Sequence, residues 1–390
     1  MLFFRYREYK TKIWGKHRLN IGIDGRSGMG VMCGFMRHIM LLLKGLTLTK
    51  THHQFLLFSD GRMSCYSKIF PSVKIKMPRL GKIPADFIRR DQLSLPELLE
   101  KKKINLFHGA GFPIPCSRLD GCRFILTVHD VIPWLNIDVQ DKFSRGSQEY
   151  MRKWLAISMR KADAIIAVSE TTKRDLMKFF DLPARKLRVV YNYVDPYFRF
   201  VPDKRAIRRV LKEKMGIEGE FVLNVSNISP RKNIETLIRA HEQIRLRNKK
   251  CQLIIVGAFS RQKPFKKYPG VVFTGTIPDL LLLYLYNSAS VMVYPSIYEG
   301  FGYPPLEAMA CGTPVITAQC GALPEILGDA GCFFANKDVS GLARKIVEVI
   351  ENTALRYEMI QKGFSRVQLF SQRSYVAQIM RLYQDINSEI

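Results

Sequence analysis

Two glutamates eight positions apart, Glu299 and Glu307, stand in a segment that reads YPSIYEGFGYPPLEAMACGTP over residues 294–314. Residues 291–294 form a short apolar run of the kind that makes a buried strand. Residues 304–311 predict a helix whose prolines lie in the first turn, where a missing N–H costs nothing. The glycine loop between them leaves Glu299 at the loop and Glu307 at about the end of the first helical turn, so two carboxylates can address one ligand from different depths. Gly300 and Gly302 let a ligand approach the backbone, and the free N–H groups at the helix start suit a phosphate. A buried carboxylate suits sugar hydroxyls.

Three further patterns have the right chemistry for the same ligand. Arg231 and Lys232, in the turn SPRKN, follow the strand candidate FVLNVSNI, and adjacent cations at a strand mouth can hold a diphosphate. His129 closes another apolar run in TVHD, at the carboxyl end of a strand, where open parallel sheets place their ligands. Asp130 beside it fixes either the loop or the imidazole tautomer. Near the start, residues 19–23 lead into DGRSGMG and then into a helical stretch at 31–46, a strand–glycine loop–helix order that many doubly wound folds share.

The paired glutamates around GFG, followed by EAMACGTPVI, resemble the donor site of the family 4 retaining, nucleotide-sugar-dependent glycosyltransferases. That resemblance covers residues 19–390 and is densest over 221–330. It implies two Rossmann-like domains facing one another across a cleft, the GT-B arrangement, with the donor on the second and the acceptor on the first. By the same resemblance Glu307 holds the ribose and Glu299 the sugar ring, and His129 contacts the donor sugar. Arg231 and Lys232 take the diphosphate, while Phe301, Gly302 and Tyr303 line the donor site. Gly28 and Gly30 match the first glycine loop, near the phosphates and acceptor, and the loop of Gly275, Thr276 and Ile277 lies against the nucleobase. No cofactor and no metal is implied, and no Asp-x-Asp triplet occurs. Two departures stand out: Tyr193 replaces a usual glycine, and Ser226, Asn227 and Ile228 occupy the place of an arginine that many members carry. Arg231 is then the second positive charge. GALPE, residues 321–325, also resembles the family, and Glu325 either belongs to that motif or only caps the turn that follows it.

The elements that must position these residues alternate. Strand candidates at 55–58, 73–77, 104–107, 124–128, 164–168 and 187–190 are separated by helical stretches at 95–102, 148–162 and 170–180. Such alternation gives an α/β fold with parallel sheets covered on both faces. A second series follows the strand of residues 221–228, with helices at 234–247 and 280–288 and strands at 251–256, 271–273, 291–294, 315–317 and 332–334. Residues 199–209 read as the interdomain connection. The expected division is 1–200, 201–372, and a last helix, 373–390, that by resemblance crosses back to the first domain.

At 390 residues, 47% hydrophobic and 24% charged, the chain is globular and long enough for two cores. No apolar run reaches the roughly 18 residues of a spanning helix, and the first 14 residues hold no signal-peptide core, which predicts a cytoplasmic protein. The eight cysteines show no metal-ligand spacing and read as reduced core residues. Residues 1–200 carry 36 Lys+Arg against 17 Asp+Glu, and 201–390 carry 25 against 17. An excess of this size draws polyanions, and with no zinc-finger or RNA-binding motif an anionic membrane surface is expected in preference to nucleic acid. The opening MLFFRYREYKTKIW is either an interfacial segment or a frayed basic terminus. The expected activity is transfer of a hexose, with mannose favoured, to a glycan acceptor linked to polyprenyl diphosphate at the inner face of the membrane. The alternative is a non-catalytic or nucleic-acid-binding basic protein built on the same fold.

Overall fold

The computed structural model describes residues 18–26, 34–59, 70–74, 84–135, 145–246, 251–258 and 268–388. Gly28 and Gly30, Cys33 and Cys65, and the opening aromatic–basic segment lie outside the described residues.

The first sheet contains β1 (Asn20–Gly25), β2 (Gln54–Ser59), β3 (Ser72–Lys74), β4 (Leu106–Gly109), β5 (Arg123–Val128), β6 (Ala164–Ala167) and β7 (Leu187–Val189). All pair in parallel, in the order β3-β2-β1-β4-β5-β6-β7. Helices α1 (Gly34–Leu46), α2 (Pro84–Ile88), α3 (Leu95–Lys101), α4 (Arg145–Lys161) and α5 (Glu170–Phe180) connect them. Strands β4 and β6 are buried at every position, as strands covered on both faces must be.

The second sheet repeats the plan with β8 (Phe221–Val225), β9 (Gln252–Val256), β10 (Val271–Gly275), β11 (Val291–Tyr294), β12 (Val315–Ala318) and β13 (Gly331–Phe334), ordered β10-β9-β8-β11-β12-β13. Around it lie α6 (Lys204–Met215), α7 (Ile234–Leu246), α8 (Asp279–Ser288), α9 (Tyr303–Ala310), α10 (Leu323–Leu327), α11 (Val339–Glu351) and α12 (Thr353–Gln368), while α13 (Gln372–Ser388) packs against α1 of the first domain. In each sheet the order reverses beside the central strand, β1 or β8, and such a switch point opens a crevice at the carboxyl ends of the strands. The two Rossmann-like domains of the GT-B fold are therefore present.

One local expectation changes, and the Tyr193 departure is explained. The connection predicted at 199–209 is already helical from Lys204, because the Asp203 carboxylate accepts the Ala206 N–H at 2.9 Å and caps α6. Tyr193 is not a strain point. Its ring is fully buried, its hydroxyl donates to the Leu41 carbonyl at 2.7 Å, and Gln372 donates to that hydroxyl at 3.0 Å, so the bulk is used to join α1 to the start of α13. Farther along α13, the Tyr383 hydroxyl meets His108 Nδ1 at 2.7 Å.

Candidate active site

Arg231 and Lys232 occupy a single 3-10 turn, Pro230–Lys232, that Asn233 ends in the left-handed conformation at φ +51°. That turn aims both cations at the loop after β11. Arg231 Nη1 lies 2.8 Å and Lys232 Nζ 2.5 Å from the same atom, Glu299 Oε1. Lys232 also donates to the Tyr294 hydroxyl at 2.7 Å, and Arg231 to the Tyr298 carbonyl at 2.8 Å. Burial raises the Glu299 carboxyl, but the two cations outweigh it and bring its pKa down to about 2. The result is an ionised carboxylate that balances two positive charges at the cleft.

Glu307 lies in a separate pocket of contacts. It is buried on α9, and both oxygens are occupied: Arg37 Nη2 donates to Oε1 at 2.9 Å and the Tyr286 hydroxyl to Oε2 at 3.0 Å. Burial raises its pKa, against the opposing pull of Arg37 and Tyr286. Arg37 belongs to the first domain, so this ion pair crosses the cleft. Among the residues expected at the donor site, Phe301 is buried against the rings of Tyr303 and Phe370. Gly302, at φ +111°, starts α9, and Ile277 is half-buried two residues before Asp279.

His129 sits half-buried where expected, at the end of β5, with Nε2 donating to the Ala110 carbonyl at 3.1 Å. Its ring packs edge-on against His38, 4.6 Å between centroids. Burial lowers its pKa to about 4, so the imidazole is neutral at physiological pH. Asp130 fixes the loop rather than the ring, since its carboxylate accepts the Ile132 N–H at 3.0 Å.

Gly300 was expected to admit a ligand, but it admits the other domain. A Cβ there would stand 1.8 Å from the His129 carbonyl oxygen. Glu325 is also corrected: it caps not its own turn but the start of α5 across the cleft. Tyr298 adds a hydrogen bond to Asp175, also between domains. The sequence reading missed Arg37, Tyr286 and Asp175. The one signal available for Arg37 was a charge inside the otherwise apolar stretch FMRHIMLLL. Among the described residues, no group of three His, Cys, Asp or Glu could hold a metal ion, and no helix is long and apolar enough to cross a membrane.

Paired parallel sheets, switch-point crevices and a cation–glutamate cluster at the cleft define the class of GT-B glycosyltransferases. Residues 34–198 match the profile described as Glycosyltransferase Family 4, and 205–366 match Glycosyl transferases group 1. The chain belongs to glycosyltransferase family 4. It is 28% identical over 296 residues to the O-antigen chain mannosyltransferase B of Escherichia coli, covering 73% of this chain and 75% of that one. With the serotype-specific mannosyltransferase WbdA of Escherichia coli it shares 24% identity over 92% of this chain, but spans only 44% of that longer protein. Among solved structures, Anabaena HepE in complex with UDP-glucose superposes with a TM-score of 0.73 at 19% identity, over 94% of this chain and all of HepE.

Proposed function

We propose that this glycosyltransferase moves a hexose, with mannose favoured, from a nucleoside-diphosphate sugar to a glycan acceptor with retention of configuration and without a metal. The convergence of Arg231 and Lys232 on Glu299 carries this reading: two cations at a switch point, held ready by a carboxylate, match the charge that grows on a leaving diphosphate. The N–H groups at the start of α9, after Gly302, add to that neutralisation. Glu307 receives the ribose hydroxyls, Glu299 and neutral His129 address the sugar, and the backbone around Ile277 faces the base. As the bond from the sugar's anomeric carbon to the β-phosphate oxygen breaks, the acceptor oxygen forms its bond on the same face. The acceptor's proton passes to the departing phosphate oxygen, so no enzyme carboxylate serves as nucleophile.

The names of the Escherichia coli relatives support mannose, and the UDP-glucose held by HepE supports a nucleotide-sugar donor. The excess of positive charge in residues 1–200 supports an acceptor carried on polyprenyl diphosphate at an anionic, inner-leaflet surface. The test is release of nucleoside diphosphate from a panel of nucleotide sugars, with a lipid-linked saccharide supplied as acceptor. GDP-mannose is expected to be consumed fastest, and no release from any member of the panel rejects the reading.

A further inference from the structure

An ionised carboxylate offers about four lone-pair sites, two on each oxygen. In Glu307, one site on Oε1 is taken by Arg37 and one on Oε2 by Tyr286, which leaves one on each oxygen. Two free acceptors, side by side, match the two hydroxyls of a vicinal diol. We infer that Arg37, from the first domain, is a positioning residue for the nucleotide's ribose: it fixes Glu307 as a double acceptor, so recognition of the 2′,3′-diol is completed by both domains. The inference rests on the transferase reading above and concerns how the donor is selected.

The surroundings of Arg37 support a fixed role. It projects from α1, whose other side is buried in the core. Its guanidinium lies over the Phe198 ring at 4.8 Å, and Nη1 is 3.7 Å from Asp279, the first residue of α8 and just beyond the loop of Ile277. The side chain is only 11% exposed. Glu307 is itself buried and paired with Arg37, so the proposed contact requires the ribose to reach it as the domains part, with Arg37 back on Oε1 when they close. Burial without that cation would favour the protonated carboxyl, which is a poorer acceptor and adds a competing donor.

The experiment compares the affinities of GDP, UDP and their 2′-deoxy forms by calorimetry for the unaltered protein, Arg37→Ala, Arg37→Lys and Tyr286→Phe. The unaltered protein is expected to prefer the ribonucleotide. Arg37→Ala is expected to weaken the ribonucleotide by about tenfold and the 2′-deoxynucleotide much less, since one charge-assisted contact is lost. Arg37→Lys is expected to recover part of the preference, and Tyr286→Phe, which keeps the ring's shape, to reduce it. A ribose-to-deoxyribose ratio unchanged in both Arg37→Ala and Tyr286→Phe overturns the inference and leaves the transferase reading standing. Tighter ribonucleotide binding by Arg37→Ala also overturns it, because Arg37 would then merely block the site. No nucleotide binding by the unaltered protein overturns both.

Discussion

Glu325 of the second domain accepts the Thr171 backbone N–H at 2.8 Å, and its carboxylate also takes the Glu170 N–H at 2.7 Å and the Thr171 hydroxyl at 2.7 Å. These donors form the first turn of α5, whose remaining N–H, at Thr172, is held by Ser169 Oγ at 3.0 Å. A carboxylate at a helix N-terminus is favoured by the helix dipole as well as by the hydrogen bonds. Here it fastens one domain to the other. Glu325→Ala is expected to leave each domain folded and to shift the protein toward an open cleft. A loss of about 1.4 kcal/mol of closure corresponds to about a tenfold fall in kcat/KM for the donor. Small-angle scattering and steady-state kinetics check this, and unchanged values in both would reject the latch.

Gly300 provides a sharper test of closure. Its missing Cβ is what lets the loop meet the His129 carbonyl, and the Thr172 hydroxyl lies 3.4 Å from both the His129 and Gly300 carbonyls. Gly300→Ala is expected to hold the domains apart. Misplacement of reacting groups by about 1 Å costs on the order of a hundredfold in rate. Turnover should fall by that order while the melting temperature changes little.

The cation pair separates binding from transfer. Arg231→Ala and Lys232→Ala are each expected to weaken the nucleoside diphosphate by about 1.5–3 kcal/mol, the range for a hydrogen bond to a charged group. Glu299→Gln removes the internal counter-ion instead, so free nucleoside diphosphate should bind at least as well while the nucleotide sugar binds less well. Calorimetry with both ligands decides, and undiminished affinity in both cation variants would remove Arg231 and Lys232 from the site.

The buried histidines set an acid limit on stability. Burial lowers the pKa of His38 well below its ordinary value, that of His108 to about 3 and that of His129 to about 4. Between those values and about 6.5 the unfolded chain binds protons that the folded one does not, so stability falls as pH drops. At pH 5 the fully buried imidazoles of His38 and His108 are each expected to cost about 2 kcal/mol relative to pH 8, and half-buried His129 less. Urea denaturation across pH 8 to 5 measures the slope, and His108→Gln should flatten it.

The membrane contact proposed from the charge of residues 1–200 is tested on α4 and α5. Along α4, Arg152, Lys153 and Arg160 are exposed beside half-buried Ala156 and Ile157, and α5 exposes Met177 and Phe179. Flotation of the whole protein with anionic vesicles is expected at low salt, to be lost as screening shortens the Debye length, and to weaken in Arg152→Glu/Lys153→Glu. Flotation indifferent to both salt and anionic lipid would assign the charge another purpose.

Much of this protein was legible locally. Val291 to Tyr294 is an apolar run, Gly302 and the prolines after it mark a helix start, and Arg231 and Lys232 are adjacent in one short turn; strand, loop and cation pair therefore follow from residues close in sequence. The direct pairing of Glu299 with those cations was not foreseen, since the resemblance gave Glu299 the sugar ring and the cations the diphosphate, and the Tyr193 departure could be seen but not interpreted. Other relationships depended on tertiary structure. Arg37 and Glu307 are 270 positions apart, Glu325 and Thr171 are 154 apart, and Gly300 faces His129 across the cleft. Periodicity and propensity act over a few residues and shape each sheet separately. Which glutamate is caged, which glycine admits a neighbouring domain and which carboxylate caps a distant helix depend on how the two sheets face each other, and that is set by packing between surfaces that no local pattern encodes.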